Sequence, residues 1–293
     1  MIDLSETKQT LRTFDGEHHV KLGVNVNGAS YMLKLPYNSE PLLGEGVAMS
    51  SVCEDLAARI FRLYGIESQK TMLCERRERL AVLCSDFVEE GQRFVKFSEF
   101  RSTYEDANSR DDSFLQLTQS DLNVTLDVIE HHPILAEMPN LEEDFLKRFL
   151  MDAFLGNANR TNDNWGFLVS SNGEIRLAPV FANGASLNSN CGAEKMRKIL
   201  DDDSSFLAEA YTMKVCYHTI RGKRVNPFKL LKSGQDPKLN DTIKWFVQQD
   251  KLLNVLQLVN ENKWLDDLHK EFYVRLLSER HNYFEDSMEM RVF

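Results

Sequence analysis

Apolar and polar residues alternate along Val20-Lys21-Leu22-Gly23-Val24-Asn25-Val26 and again along Tyr31-Met32-Leu33-Lys34-Leu35. Alternation over such short runs predicts two half-buried strands. Asn27-Gly28 between them is a preferred two-residue hairpin turn, and Pro36 ends the second strand. Pro36 to Gly46, with Pro41 and two glycines, reads as a loop. The period then changes. Val52, Leu56, Ile60 and Leu63 recur at helical spacing, so a helix opens at Ser51 and closes at Gly65. Lys70 to Glu75 and Leu80 to Phe87 read as short strands around the charged turn Arg76-Arg77-Glu78-Arg79.

From about residue 98 the pattern is helical. Tyr104 to Ser113 is polar and reads as a loop; Leu115 to Val128 and Leu141 to Leu155 read as helices. The second of these has Asn140 at the N-cap position, Glu143 three residues on, and Phe145, Phe149 and Ala153 on one face. It stops at Gly156-Asn157. Trp165 to Val169 and Glu174 to Val180 form a second hairpin around Ser171-Asn172-Gly173. Helical patterns return at Phe206 to Val215, Asp241 to Val247, Leu252 to Val259 and Leu265 to Glu285. No internal repeat appears. The layout predicts an α+β protein, with a small β-rich part over 1–98 and a larger helical part over 99–293.

Composition narrows the function. The chain has 293 residues, 42% hydrophobic and 27% charged, as soluble globular proteins do. Thirty-five basic against 45 acidic residues leave a net charge of −10, which disfavours direct nucleic-acid binding. No apolar run reaches the roughly 18 residues of a membrane span. Met1-Ile2-Asp3-Leu4-Ser5-Glu6 does not read as a signal peptide, so a cytoplasmic protein is expected, with a signal-independent secretion route left open. Cys53, Cys74, Cys84, Cys191 and Cys216 form no metal-binding or disulfide framework. His131-His132-Pro133 reads as a helix end, Asp201-Asp202-Asp203 as a solvated run or helix start, and Trp165 as core.

Three features can carry chemistry. Lys34 lies on a strand and Glu54 on the following helix, the arrangement by which kinases hold the α- and β-phosphates of ATP. The plain alternatives are a solvent-facing lysine and a Ser51-x-x-Glu54 capping box. The second feature is the loop Gly156-Asn157-Ala158-Asn159-Arg160-Thr161-Asn162-Asp163-Asn164. Positions 159 and 164 have the spacing at which kinases place the residue beside the attacking hydroxyl and a metal-binding Asn. An Asn-rich turn is the alternative. The third is Leu177-Ala178-Pro179-Val180-Phe181-Ala182-Asn183-Gly184, leaving the second hairpin, where a kinase carries its magnesium-binding Asp and this chain has Ala182.

In this order the residues resemble the HipA-like serine/threonine kinases, above all the short CtkA-like members and HipBST-type toxin–antitoxin kinase subunits. The resemblance is carried by Tyr31-Met32-Leu33-Lys34-Leu35-Pro36, Cys53-Glu54 to Ile66, Asp152-Ala153-Phe154-Leu155-Gly156-Asn157, and Arg160. It continues through Asn164-Trp165-Gly166-Phe167 and Leu177-Ala178-Pro179-Val180-Phe181 to Asn183-Gly184-Ala185-Ser186-Leu187.

The resemblance implies a bilobal protein-kinase-like fold that transfers the γ-phosphate of ATP, with Mg²⁺, to a protein hydroxyl. Lys34 and Glu54 would hold phosphates, Phe87-Val88-Glu89 would receive the adenine, and His18-His19 would lie in the phosphate-covering loop. Asn164 would bind metal. The expected partners are a protein substrate, such as an aminoacyl-tRNA synthetase, and a small antitoxin; no nucleic acid or membrane is expected. Two departures bear on activity. The family has Asp where Asn159 and Ala182 stand; it commonly has His where Thr161 stands. Asn159 cannot accept a proton and Ala182 cannot ligate a cation, so this chain reads as a nearly inactive variant. Deliberate disabling of an active kinase and a natural pseudokinase both fit, as does a non-catalytic interaction module.

Overall fold

A computed structural model describes residues 2–14, 20–35, 49–108, 121–211, 225–234 and 236–289; for 105–108 and 289 it describes the backbone alone. His18, His19, the loop expected over 36–46, and residues 115–120 and 212–215 of two expected helices lie outside the described residues. The described chain divides into two compact units. One contains Met1–Phe87, Pro179–Glu209 and Lys251–Leu277; the other contains Val88–Ala178, Ala210–Asp250 and Ser278–Phe293.

The first unit is built on a five-stranded sheet of β1 (Ile2–Asp3), β2 (Val20–Val26), β3 (Ala29–Leu35), β4 (Thr71–Arg76) and β5 (Arg79–Ser85). Their order is β1-β4-β5-β3-β2. The expected hairpin forms, with Val20 opposite Leu35 and Val26 opposite Ala29. Asn27 and Gly28 both take left-handed φ, 52° and 84°, as a two-residue turn requires. Leu4, Val24, Leu33, Cys74, Ala81 and Leu83 cluster as one core. Helix α1 (Ser50–Leu63) packs on β4 and β5. Its end is as expected. Gly65 turns left-handed, its N–H donates to Arg62 O and the Ile66 N–H reaches back to Phe61 O, which satisfies the last carbonyls.

Its start is not as expected. No side chain caps α1: its N-cap residue is Met49, Ser51 already lies within the helix, and the Glu54 carboxylate is engaged elsewhere. The same holds for α4 (Leu141–Leu155): Asn140 is left-handed with no side-chain cap, and Glu143 pairs with Lys147 at 2.7 Å.

The second unit holds a three-stranded sheet, β6 (Gln92–Lys96), β7 (Gly166–Ser170) and β8 (Ile175–Leu177), in that order. β6 was not legible in the sequence pattern. Gly166 is required where β7 meets it, since a Cβ there would lie 2.1 Å from Val95 O. Helix α2 (Phe97–Asn108) occupies the start of the expected 104–113 loop, and α3 spans Leu122–His131, with His132 at its C-cap. Trp165 is core, stacked on Phe97 with ring centroids 4.1 Å apart. Among the described residues there follow α5 (Ala193–Leu200), α6 (Asp203–Tyr211), α7 (Pro227–Ser233), α8 (Pro237–Gln248), α9 (Leu252–Asn260) and α10 (Asp267–Glu289). Short helices α5 and α7 escaped the periodicity argument.

Candidate functional site

Lys34 is not on a solvent face. It lies opposite Val82 in the β3–β5 pairing, on the α1 side of the sheet, and is 8% exposed. There its ammonium pairs with Glu54 Oε2 of α1, itself 1% exposed. The other carboxylate oxygen, Oε1, accepts the backbone N–H of Asn183 at 2.6 Å. A buried carboxylate is tolerable only when its lone pairs are met, and here both oxygens are engaged.

The segment carrying Asn183 is stapled to this unit on both sides. Val180 forms an isolated bridge with Ser68, its N–H donating to Glu67 O and its carbonyl accepting from Gln69 N–H, both at 2.8 Å. Further on, Met49 N–H donates to Ser189 O at 3.1 Å, just before α1. Phe181 packs on Phe87 with centroids 5.5 Å apart. Between these ties Ala182 is held left-handed, φ 57°. Asn and Asp enter that region far more readily than Ala. Gly184 comes close to the ion pair: a Cβ there would lie 3.1 Å from Glu54 Oε2, 3.2 Å from Ser50 O and 3.5 Å from Lys34 Nζ.

In the second unit, α4 ends at Gly156, left-handed with φ 75°, and the chain enters the loop 157–164. Asn159 is exposed at its crest. The Asn164 side chain donates through Nδ2 to Asn159 O at 2.7 Å, so its amide oxygen is the atom left to face a ligand. Asp152 and Arg160, both buried, meet beneath the loop. Val88 and Glu89 follow at the head of this unit, Val88 half-buried and Glu89 exposed, with Gln92 N–H donating to Glu89 O at 3.0 Å.

The structure thus gathers Lys34, Glu54, Ala182 and Phe87 with Phe181 in one unit, and Asn159 with Asn164 in the other. The sequence reading named Asn183 and Gly184, which touch the ion pair, and Arg160 and Asp152, which underlie the loop, only as part of the resemblance and gave them no role. The backbone contact from Asn183 to Glu54 leaves no signal in the sequence. Burial pushes the thiols of Cys53 on α1 and Cys74 on β4 up to about 12, and raises that of Cys84 on β5 as well, which disfavours the thiolate form. Among the described residues no group of three or more His, Cys, Asp or Glu could hold a metal.

The described chain is a mixed α+β fold, with a β-sheet N-terminal part and a largely helical remainder, and its structural neighbours are kinase-like proteins. No family model matches the chain. The serine/threonine-protein kinase CtkA of Helicobacter pylori is 25% identical over 275 residues, covering 91% of this chain and 81% of the relative. The crystal structure of the H. pylori proinflammatory kinase CtkA superposes with a TM-score of 0.87 at 22% identity, covering 99% of this chain and 97% of that one. Shewanella oneidensis HipA, solved with HipB and operator DNA, gives a TM-score of 0.53 at 11% identity, over 94% of this chain and 67% of its own. The chain is thus similar to CtkA over most of its length and shares the fold of CtkA and, more distantly, of HipA. No helix among the described residues is long and apolar enough to cross a membrane.

Proposed function

We propose that this chain is a HipA-like serine/threonine protein kinase in design: it binds ATP and is nearly silent in transfer. The observation that carries the reading is the buried Lys34–Glu54 pair, whose glutamate also holds the backbone of Asn183. An ammonium desolvated and aimed by a carboxylate is suited to phosphate oxygens. Lys34 takes the phosphates, and backbone groups of Phe87-Val88-Glu89 receive the adenine. The roles divide near residue 98, with 1–98 serving the nucleotide and 99–293 supplying the acceptor loop.

In the reaction the acceptor hydroxyl oxygen bonds to the γ-phosphorus, the bond to ADP breaks, and the hydroxyl proton must leave. Asn159 sits where that proton would be received, and an amide has no basicity for it. Loss of a positioned base costs about 10²–10⁴-fold in rate. The residues present do not fit Mg²⁺, which prefers carboxylate oxygens: Asn164 offers one amide oxygen and Ala182 none. The left-handed φ of Ala182 supports Asp as the residue for which this backbone was shaped.

By the same homology the acceptor is a Ser or Thr of a protein, an aminoacyl-tRNA synthetase being one such class. HipA was solved with HipB, which supports a small antitoxin partner for this chain too. The net charge of −10 supports a protein partner over direct nucleic-acid binding, and a cytoplasmic setting suits that partner.

Calorimetric titration of ATP, with γ-phosphate incorporation by the Asn159→Asp, Ala182→Asp double variant, tests the reading. Binding by the unaltered chain and transfer by the double variant are expected. Binding without transfer would make the chain a pseudokinase; no binding by either would leave an interaction module and overturn the reading.

A further inference from the structure

We infer that the buried Asp152–Arg160 pair is the positioning element that sets residues 159 and 164 of the acceptor loop. The inference rests on the proposed function only for what the loop is used for. Asp152 is the last-turn carboxylate of α4, 2% exposed, and Arg160 is 5% exposed. Arg160 donates from Nε to Asp152 Oδ2 at 2.8 Å and from Nη2 to Oδ1 at 2.9 Å. Its third arm, Nη1, donates to Asn164 O at 3.2 Å. One rigid planar group therefore ties the end of a helix to the far end of the loop.

The near end is tied to the same carboxylate. Asn157 Nδ2 donates to Asp152 Oδ1 at 3.2 Å, and the Asn157 backbone N–H to Asp152 O at 2.9 Å. Asn157 Oδ1 in turn accepts the Asn159 N–H at 3.1 Å, and Asn164 Nδ2 closes the ring on Asn159 O at 2.7 Å. Both loop positions thus belong to a network rooted in Asp152. The pairing also removes Asp152 as a substitute base for the missing carboxylate at 159. Both its oxygens accept from Arg160, and it is closed to solvent. The loop 157–164 has no apolar side chain larger than Ala158, and besides this network it is tied through Ser98, which donates to Asn162 O and Asp163 Oδ1; misplacement of about 1 Å in a reacting group costs on the order of 10²-fold in rate.

Amide hydrogen exchange on the full unaltered chain, on Arg160→Leu and on Arg160→Lys tests this directly. In Arg160→Leu, amides of 157–164 should exchange at least tenfold faster while those of β7 keep their rates. Arg160→Lys retains the charge on Asp152 but has no fork to reach Asn164 O, so it should loosen residues 161–164 with little change in melting temperature. Should Arg160→Leu fail to fold, the lysine variant decides. Placed in the Asn159→Asp, Ala182→Asp chain, Arg160→Lys should lower kcat at least tenfold with KM for ATP within twofold. Unchanged loop exchange in both variants, or kcat and KM moving together with melting temperature, overturns the inference. Absence of transfer from the double variant itself counts against the proposed function alone, and the exchange data still decide the role of Arg160.

Discussion

Glu54 accepts the backbone N–H of Asn183 across 129 positions of sequence, while its second oxygen holds Lys34. One carboxylate therefore links the lysine strand, α1 and the segment that carries Ala182. Moving any of the three disturbs the other two.

Lys34→Ala should weaken ATP binding roughly ten- to hundredfold, the worth of about 1.5–3 kcal/mol for a charged hydrogen bond. It also leaves the Glu54 carboxylate buried without its cation, and removal of one partner of a buried pair costs about 3–5 kcal/mol. Urea denaturation beside calorimetry separates the two effects. Undiminished ATP affinity in a folded Lys34→Ala chain would exclude the lysine from phosphate binding.

Gly184→Ala should cost about 1–3 kcal/mol, as overpacking does, and reduce ATP affinity. The added methyl meets Glu54 Oε2 and Ser50 O at 3.1 and 3.2 Å, and the latter is backbone that cannot swing away. A melting curve and affinity equal to those of the parent would mean the segment shifts freely, contrary to its ties at Val180 and Ser189.

Ala182→Gly should stabilise the chain by about 1 kcal/mol or less, since a left-handed φ costs Ala roughly 1–2 kcal/mol and the greater freedom of unfolded Gly offsets part of the gain. Ala182→Asp should be neutral or mildly stabilising for the same reason. A clear loss of stability in both variants would show that the backbone at φ 57° is not strained.

Stability should decline as pH falls below about 6.5. Burial holds His132 and His281 below the ordinary 6.5 of histidine. Their unfolded forms therefore take up protons first on acidification; the folded state loses ground from 6.5 down to each lowered pKa, and neither contributes a slope above 6.5. For His132 the geometry agrees: Nδ1 accepts the Ile134 N–H at 3.1 Å, which a protonated Nδ1 cannot do. Denaturation at pH 5.5 and 7.5 should show a smaller difference in His132→Gln than in the parent; equal differences would remove His132 from the effect.

Elements with a strong local signal were legible. Alternation and Asn27-Gly28 specify the β2–β3 hairpin, and the apolar face from Leu141 to Leu155 specifies α4 with its Gly156 stop. Helices α5 and α7 and strand β6 were not, because eight, seven and five residues hold too few periods to stand above chance. Local rules also misled where long-range partners competed: Ser51-x-x-Glu54 has the form of a capping box, but a buried lysine and a distant backbone amide claim the carboxylate instead.

Residue identity alone determined that positions 159 and 182 lack carboxylates, and that Lys34, Glu54 and Asn164 occur in kinase order, because side-chain chemistry needs no neighbours to be known. Only the tertiary structure decided that Lys34 is buried on Glu54, that Asn183 and Gly184 close on that pair, and that Arg160 locks to Asp152. Those facts depend on which surfaces lose water together, and pairing between groups far apart in the chain leaves no periodic trace along it.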